Sequence, residues 1–177
     1  MASKSEIKIK LSGAEAAERL MRQEFFTRYA KDDYRVRDVI GTFYDTAGEE
    51  LAAKRYKLRV RQINRIKVAD LKVGFRSPEG WFQGQQWLCS FGGPHRVLQQ
   101  LEERGAPHIE LSGTLSPTRT FVYKRYAATL YMPDQLRAEL SFDVAEDGGA
   151  RLGIELLYGA GAELLNFIDE LRKEFEI

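Results

Sequence analysis

The sequence predicts one α+β domain, spanning residues 1–177, built mainly on antiparallel strands. Three observations lead there. Segments with strict period-2 alternation recur along the chain, as in EIKIKL (6–11), KLRVR (57–61) and RAELSFDV (137–144). Turn signals such as Ser77-Pro78-Glu79-Gly80 and Asp147-Gly148-Gly149 separate strand-like segments. Amphipathic helical period is strongest near the start and at the end of the chain.

Taken in order, Glu6–Leu11 is a strand in which every polar position is charged. A helix should follow, with Ser12 as N-cap and Glu15 completing a capping box. Ala16, Leu20, Phe25 and Ala30 roughly keep a helical period as far as Asp33. Arg35–Tyr44 reads as strand and Thr46–Lys54 as a short helix or turn. Lys57–Arg61 alternates charge with Leu58 and Val60. Lys67–Val73 sets Leu71 and Val73 opposite Asp70 and Lys72. Trp81–Phe91 is a strand, and Gly92-Gly93-Pro94 introduces a helix that runs to about Arg104 and ends at Gly105. Phe121–Tyr131, Arg137–Val144 and Arg151–Tyr158 are three more strands. Leu164, Leu165, Ile168, Leu171 and Phe175 mark a C-terminal amphipathic helix over Ala162–Phe175. No linker, low-complexity tract or internal repeat interrupts the series.

Composition narrows the function classes. Hydrophobic residues make up 44% and charged residues 30%, which excludes a mostly disordered chain. Lys and Arg number 27 against 26 acids, a net charge of +1, so a broad basic coat for general nucleic-acid binding is not expected. Cys89 is the one cysteine, which forbids an intramolecular disulfide and points to a reducing compartment. No apolar run approaches the roughly 20 residues a membrane helix needs. MASKSEIKIKL has no apolar signal-peptide region, so a cytoplasmic, soluble protein without a membrane partner is expected.

Charged alternation on one strand is ordinary for a solvated sheet face. On several strands it has two explanations: solvent-facing sides of an open sheet, or a barrel with a charged interior. The strands are chemically paired. Lys8 and Lys10 share a face, as do Lys57, Arg59 and Arg61, and so do Glu139 and Asp143, with Glu155 on a later strand. Guanidinium groups bind phosphate oxygens bidentately. Carboxylates suit a divalent cation bridging those oxygens.

The order of these pieces resembles the CYTH, or triphosphate tunnel, family. The matching residues are Glu6-x-Lys8-x-Lys10, Phe43-Tyr44-Asp45-Thr46, Leu58-Arg59-Val60-Arg61, Leu71-Lys72, Lys124-Arg125, Glu139-x-x-x-Asp143 and Leu152-Gly153 leading to Glu155. They span nearly the whole chain, and FYDT followed by LRVR is the most specific part. The resemblance implies an eight-stranded antiparallel barrel flanked by helices. It also implies a small-molecule triphosphate or polyphosphate ligand and hydrolysis assisted by Mg²⁺ or Mn²⁺. Lys8, Lys10, Arg59, Arg61, Lys72, Lys124 and Arg125 would contact phosphate; of Lys124 and Arg125, the sequence does not say which points inward. Glu6, Glu139 and Glu155 would be catalytic, and would hold the metal together with Asp143.

The chain departs from the family pattern at three places. Lys8 stands where the opening motif has its middle acid, Leu157 where the late motif has its second, and Gln83, Gln85 and Gln86 occupy a strand that usually carries a carboxylate. The means of binding a polyanion is kept better than the means of hydrolysing it. Lys8 could neutralise a phosphate in place of a metal ion. A non-catalytic module that senses a phosphorylated ligand or scaffolds a partner is therefore the alternative. Elsewhere, Cys89 in WLCSF reads as a buried inert thiol, and His95 and His108 read as solvated. No P-loop, dinucleotide fingerprint or H-E-x-x-H motif occurs.

Overall fold

A computed structural model describes residues 2–177. Eight strands form: β1 (Ala2–Leu11), β2 (Arg35–Asp45), β3 (Tyr56–Ile63), β4 (Ile66–Arg76), β5 (Trp81–Ser90), β6 (Ser116–Tyr131), β7 (Arg137–Ala145) and β8 (Ala150–Tyr158). They hydrogen-bond in the order β1-β5-β4-β3-β2-β6-β7-β8 and close into a barrel. The helices are α1 (Ala14–Met21), α2 (Glu24–Thr27), α3 (Glu50–Ala53), α4 (Val97–Glu102) and α5 (Gly161–Phe175). The expected α+β antiparallel barrel flanked by helices is the fold observed.

Contacts divide the chain into two compact units. One comprises residues 38–76 and 83–122 with the residues up to Lys4; the other comprises 5–37, 77–82 and 123–177. In the first, β3 pairs antiparallel with β2 and β4. Leu58, Val60, Ala69, Leu71, Trp87 and Cys89 form a core with Leu51 of α3 and with Val97 and Leu101 of α4. In the second, β8 pairs with β1 and β7, and β7 with β6. There Ile7, Ile9, Leu130, Leu140, Phe142, Leu152 and Ile154 pack under Ala17 and Leu20 of α1, Phe26 of α2, and Leu164, Ile168 and Leu171 of α5. An eight-stranded barrel has room inside for side chains and not for helices, so the faces under the helices are the outer ones. Alternation then turns the charged residues of the same strands to the inner faces.

Three helix boundaries differ from expectation. Ser12 is not a cap: α1 starts after Gly13, and no side chain caps it. The first helical stretch is also broken at Gln23, which is extended (φ −73°, ψ 136°), before α2 begins. The break follows from helical phase. Continued from Leu20, the buried face would fall on Gln23, Glu24 and Thr27. Resetting at Gln23 instead delivers Phe26 to the core and stacks Phe25 on Phe167 (5.2 Å between centroids). The helix expected from Pro94 is shorter too, because residues 94–96 form a turn before α4.

Candidate polyanion-binding site

Each unit carries a cluster of cations and carboxylates on its inner strand faces. In the first unit, strand register places Arg59 opposite Asp70 and Lys57 opposite Lys72. Arg59 donates through Nε to Asp70 Oδ2 at 3.0 Å, with Nη2 also 3.0 Å away. Arg61 Nε lies 3.4 Å from the same oxygen. Asp70 is 1% exposed. Burial pushes its carboxyl up, but the charges of Arg59, Arg61 and Lys72 outweigh burial and hold it below the usual range. A buried carboxylate thus holds two guanidinium groups side by side, with Lys72 as a third positive charge. Asp70 is a member of this cluster that sequence reasoning did not single out. Its signal was present, since it alternates with Leu71 beside Lys72.

In the second unit, register arranges the inner residues of β1, β8, β7 and β6 in three rows. Glu6 faces Glu155, which faces Glu139. Lys8 faces Gly153, which faces Ser141, which faces Ala127. Lys10 faces Arg151, which faces Asp143, which faces Arg125. Arg125 grips Asp143 with two hydrogen bonds, Nε to Oδ1 at 2.7 Å and Nη2 to Oδ2 at 2.8 Å. Burial works against the Arg125 charge, but these bonds more than offset it and raise the pKa above the ordinary arginine value. Lys8 Nζ is 3.8 Å from Asp143 Oδ2. Arg35 Nη2 is 3.6 Å from Glu139 Oε2. Arg35 and Arg151 are further charged residues that the sequence reading did not single out.

The choice between Lys124 and Arg125 is settled by alternation. Arg125 shares the face of Asp143, whereas Lys124 lies opposite Val144, which packs on the outer core. Lys124 therefore lies on the opposite strand face from Arg125. The FYDT segment also has a structural role. Asp45 accepts backbone hydrogen bonds from Thr46 (2.7 Å), Leu51 (2.9 Å) and Ala52 (3.0 Å), so it satisfies the start of α3 from the end of β2. Leu157 falls at a register irregularity, because Ala138 pairs with Leu156 and Arg137 with Tyr158. It is 51% exposed. Gln86 is buried, while Gln83 and Gln85 are exposed.

The Mg²⁺ or Mn²⁺ that the resemblance implies would need several carboxylate oxygens converging on one point. Both oxygens of Asp143 are engaged by Arg125, with the Lys8 ammonium beside them. Arg35 approaches Glu139. Glu6, Glu139 and Glu155 share a row, yet among the described residues no three His, Cys, Asp or Glu side chains converge into a group that could hold a metal ion. Asp143 and Glu139 are thus partnered by protein cations, which does not fit a resident divalent cation at these two acids.

The remaining candidates are quiet. Cys89 is buried, and burial pushes its thiol up, as suits an inert side chain. His108 is exposed and hydrogen-bonds Glu102 at 2.9 Å, which raises its pKa. Among the described residues no helix is long and apolar enough to cross a membrane.

No protein-family model matches the chain, and no curated protein does. Solved structures do match. A protein from Hippeastrum assigned as an adenylyl cyclase, which reveals a dominant triphosphatase activity, is 18% identical with a TM-score of 0.64, over 98% of this chain and 88% of that one. A protein from Bacillus halodurans assigned as an adenylate cyclase is 19% identical with a TM-score of 0.58, over 100% and 92%. A conserved hypothetical protein from Pyrococcus furiosus is 14% identical with a TM-score of 0.58, over 99% and 91%. The chain shares their barrel fold.

Proposed function

We propose that this chain binds a triphosphate-bearing compound, such as tripolyphosphate, thiamine triphosphate or a nucleoside triphosphate, within its barrel. The observation that carries this reading is the charge on the β3–β4 inner face, where Arg59, Arg61 and Lys72 gather around the single carboxylate of Asp70. A linear polyanion complements such a face, because guanidinium forks pair with phosphate oxygens. In the other unit, Lys8, Lys10 and Arg125 offer a second cationic cluster for phosphate. The triphosphatase activity of the Hippeastrum neighbour supports the same ligand class. The same reading assigns the protein to the cytoplasm, where a lone thiol stays reduced.

Hydrolysis is the reaction the resemblance implies. Glu6, Glu139 and Glu155 are the carboxylates that would orient a water against the phosphate. A second reading, a binding module without turnover, is favoured by one observation: Arg125 and Lys8 tie up Asp143. Two measurements decide. A thermal-shift screen with the three ligand types should raise the melting temperature, since a ligand that binds only the folded state stabilises it. Phosphate release, followed with Mg²⁺, with Mn²⁺ and with EDTA, then separates enzyme from module. Turnover lost in Glu139→Gln would support the enzyme, and binding without turnover would support the module. No stabilisation by any of the ligands would contradict both.

A further inference from the structure

We infer that the polyanion is bound free of divalent metal, with the Lys8 ammonium supplying the positive charge at the acid-bearing strands. This rests on the triphosphate reading above and goes beyond it by naming the form of the ligand. The first observation is the fixed position of Lys8. Its backbone is held on one edge by the register with Gly153. On the other edge its N–H donates to the Gly80 carbonyl at 3.2 Å. Gly80 has a φ of +92°, and a Cβ there would collide with the Lys8 carbonyl, so the β4–β5 turn closes directly on this residue.

The second observation is the space beside the side chain. Lys8 shares its row with Gly153, Ser141 and Ala127, three small residues on adjoining strands. A Cβ on Gly153 would sit 3.8 Å from both Cδ and Cε of Lys8 and 2.7 Å from Ser141 Oγ. The lysine stem thus lies across a glycine that no larger residue can replace without displacing Ser141. The side chain stays 21% exposed.

The third observation is the state of the acids. Asp143 receives two Arg125 hydrogen bonds and the Lys8 ammonium at 3.8 Å, and Glu139 has Arg35 at 3.6 Å. A divalent ion approaching Asp143 or Glu139 would meet a like charge and a carboxylate already paired. A metal-free phosphate chain meets an ammonium and a guanidinium held in place. It also carries more negative charge than its magnesium complex, which strengthens its attraction to a cationic face.

The test is calorimetric titration of tripolyphosphate into the full-length protein, once in EDTA and once in excess Mg²⁺. Binding should persist in EDTA, at an affinity equal to or higher than with Mg²⁺. Lys8→Met should weaken the EDTA binding about tenfold or more. Lys8→Glu should weaken it further and make binding respond to added Mn²⁺. Binding that requires Mg²⁺ or Mn²⁺ in the wild-type protein would overturn the inference and leave the triphosphate reading standing. Wild-type affinity retained by Lys8→Met in EDTA would overturn the role of Lys8. Absence of binding in both buffers would overturn the triphosphate reading itself, and this inference with it.

Discussion

Asp70 is the residue on which the β3–β4 cluster turns. Its carboxylate is buried and shared by Arg59 and Arg61. Removing one member of such a cluster leaves charges uncompensated, at a cost of about 3–5 kcal/mol when the site is fully buried. The arginines here are partly exposed, so Asp70→Asn should destabilise by about 3 kcal/mol in chemical denaturation. Tripolyphosphate should recover part of that loss, because it can replace the missing negative charge. The pH dependence has a definite sign. The folded pKa of Asp70 lies below its unfolded value of about 4. Its contribution to stability is therefore complete above about pH 4 and is lost as pH falls through the depressed folded value. Acid unfolding of Asp70→Asn should lack this component. The pair Lys124 and Arg125 gives a second test at this scale. Lys124→Met should leave tripolyphosphate affinity unchanged, whereas Arg125→Met should weaken it about tenfold or more. Adjacent residues on a strand have opposite fates, and the sequence alone did not say which of the two turns inward. Asp70, by contrast, was in plain view as an inward alternation partner of Lys72, and its weight came only from the register that sets it against Arg59.

Among the elements, the strands were the most legible. Each of the eight expected segments is a strand, and their period-2 patterns already separated charged from apolar faces. Helix ends were less so. The Ser12 and Glu15 pair looks like a capping box, but the turn places Gly13 at the cap instead. The break at Gln23 depends on Phe25 and Phe26 reaching partners on α5, which are far away in sequence. The FYDT segment was read as part of a family pattern, and its Asp45 is the N-terminal partner of α3. Loss of such a side-chain cap costs about 1–2 kcal/mol. Asp45→Ala should therefore lower stability by about 2 kcal/mol while the tripolyphosphate affinity of the folded protein is kept. A comparable loss of affinity would place FYDT in the binding site after all.

For the whole molecule, a net charge of +1 conceals strongly segregated charge. Apolar residues of the strands lie under helices, and Arg59, Asp70, Arg125 and Asp143 are among the charged residues on the inner faces of a closed sheet. Closure was beyond the reach of local pattern, because alternation is the same in an open sheet and a barrel. It depends on the pairing of strands distant in sequence, such as β1 with β8. The order of segments carried that information through the resemblance, and the barrel it implied is the fold that the neighbours share. Because the proposed attraction is between charges, tripolyphosphate affinity should fall as salt rises and screening shortens to about 8 Å at physiological ionic strength. The central claim is that the inner-face cations are the polyanion site. Titrating tripolyphosphate calorimetrically into the wild-type protein and into the Arg59→Ala/Arg61→Ala double variant tests it most directly. The wild type should bind measurably, and a double variant that still folds should lose about a hundredfold or more in affinity. Equal affinity of the two proteins would contradict the claim.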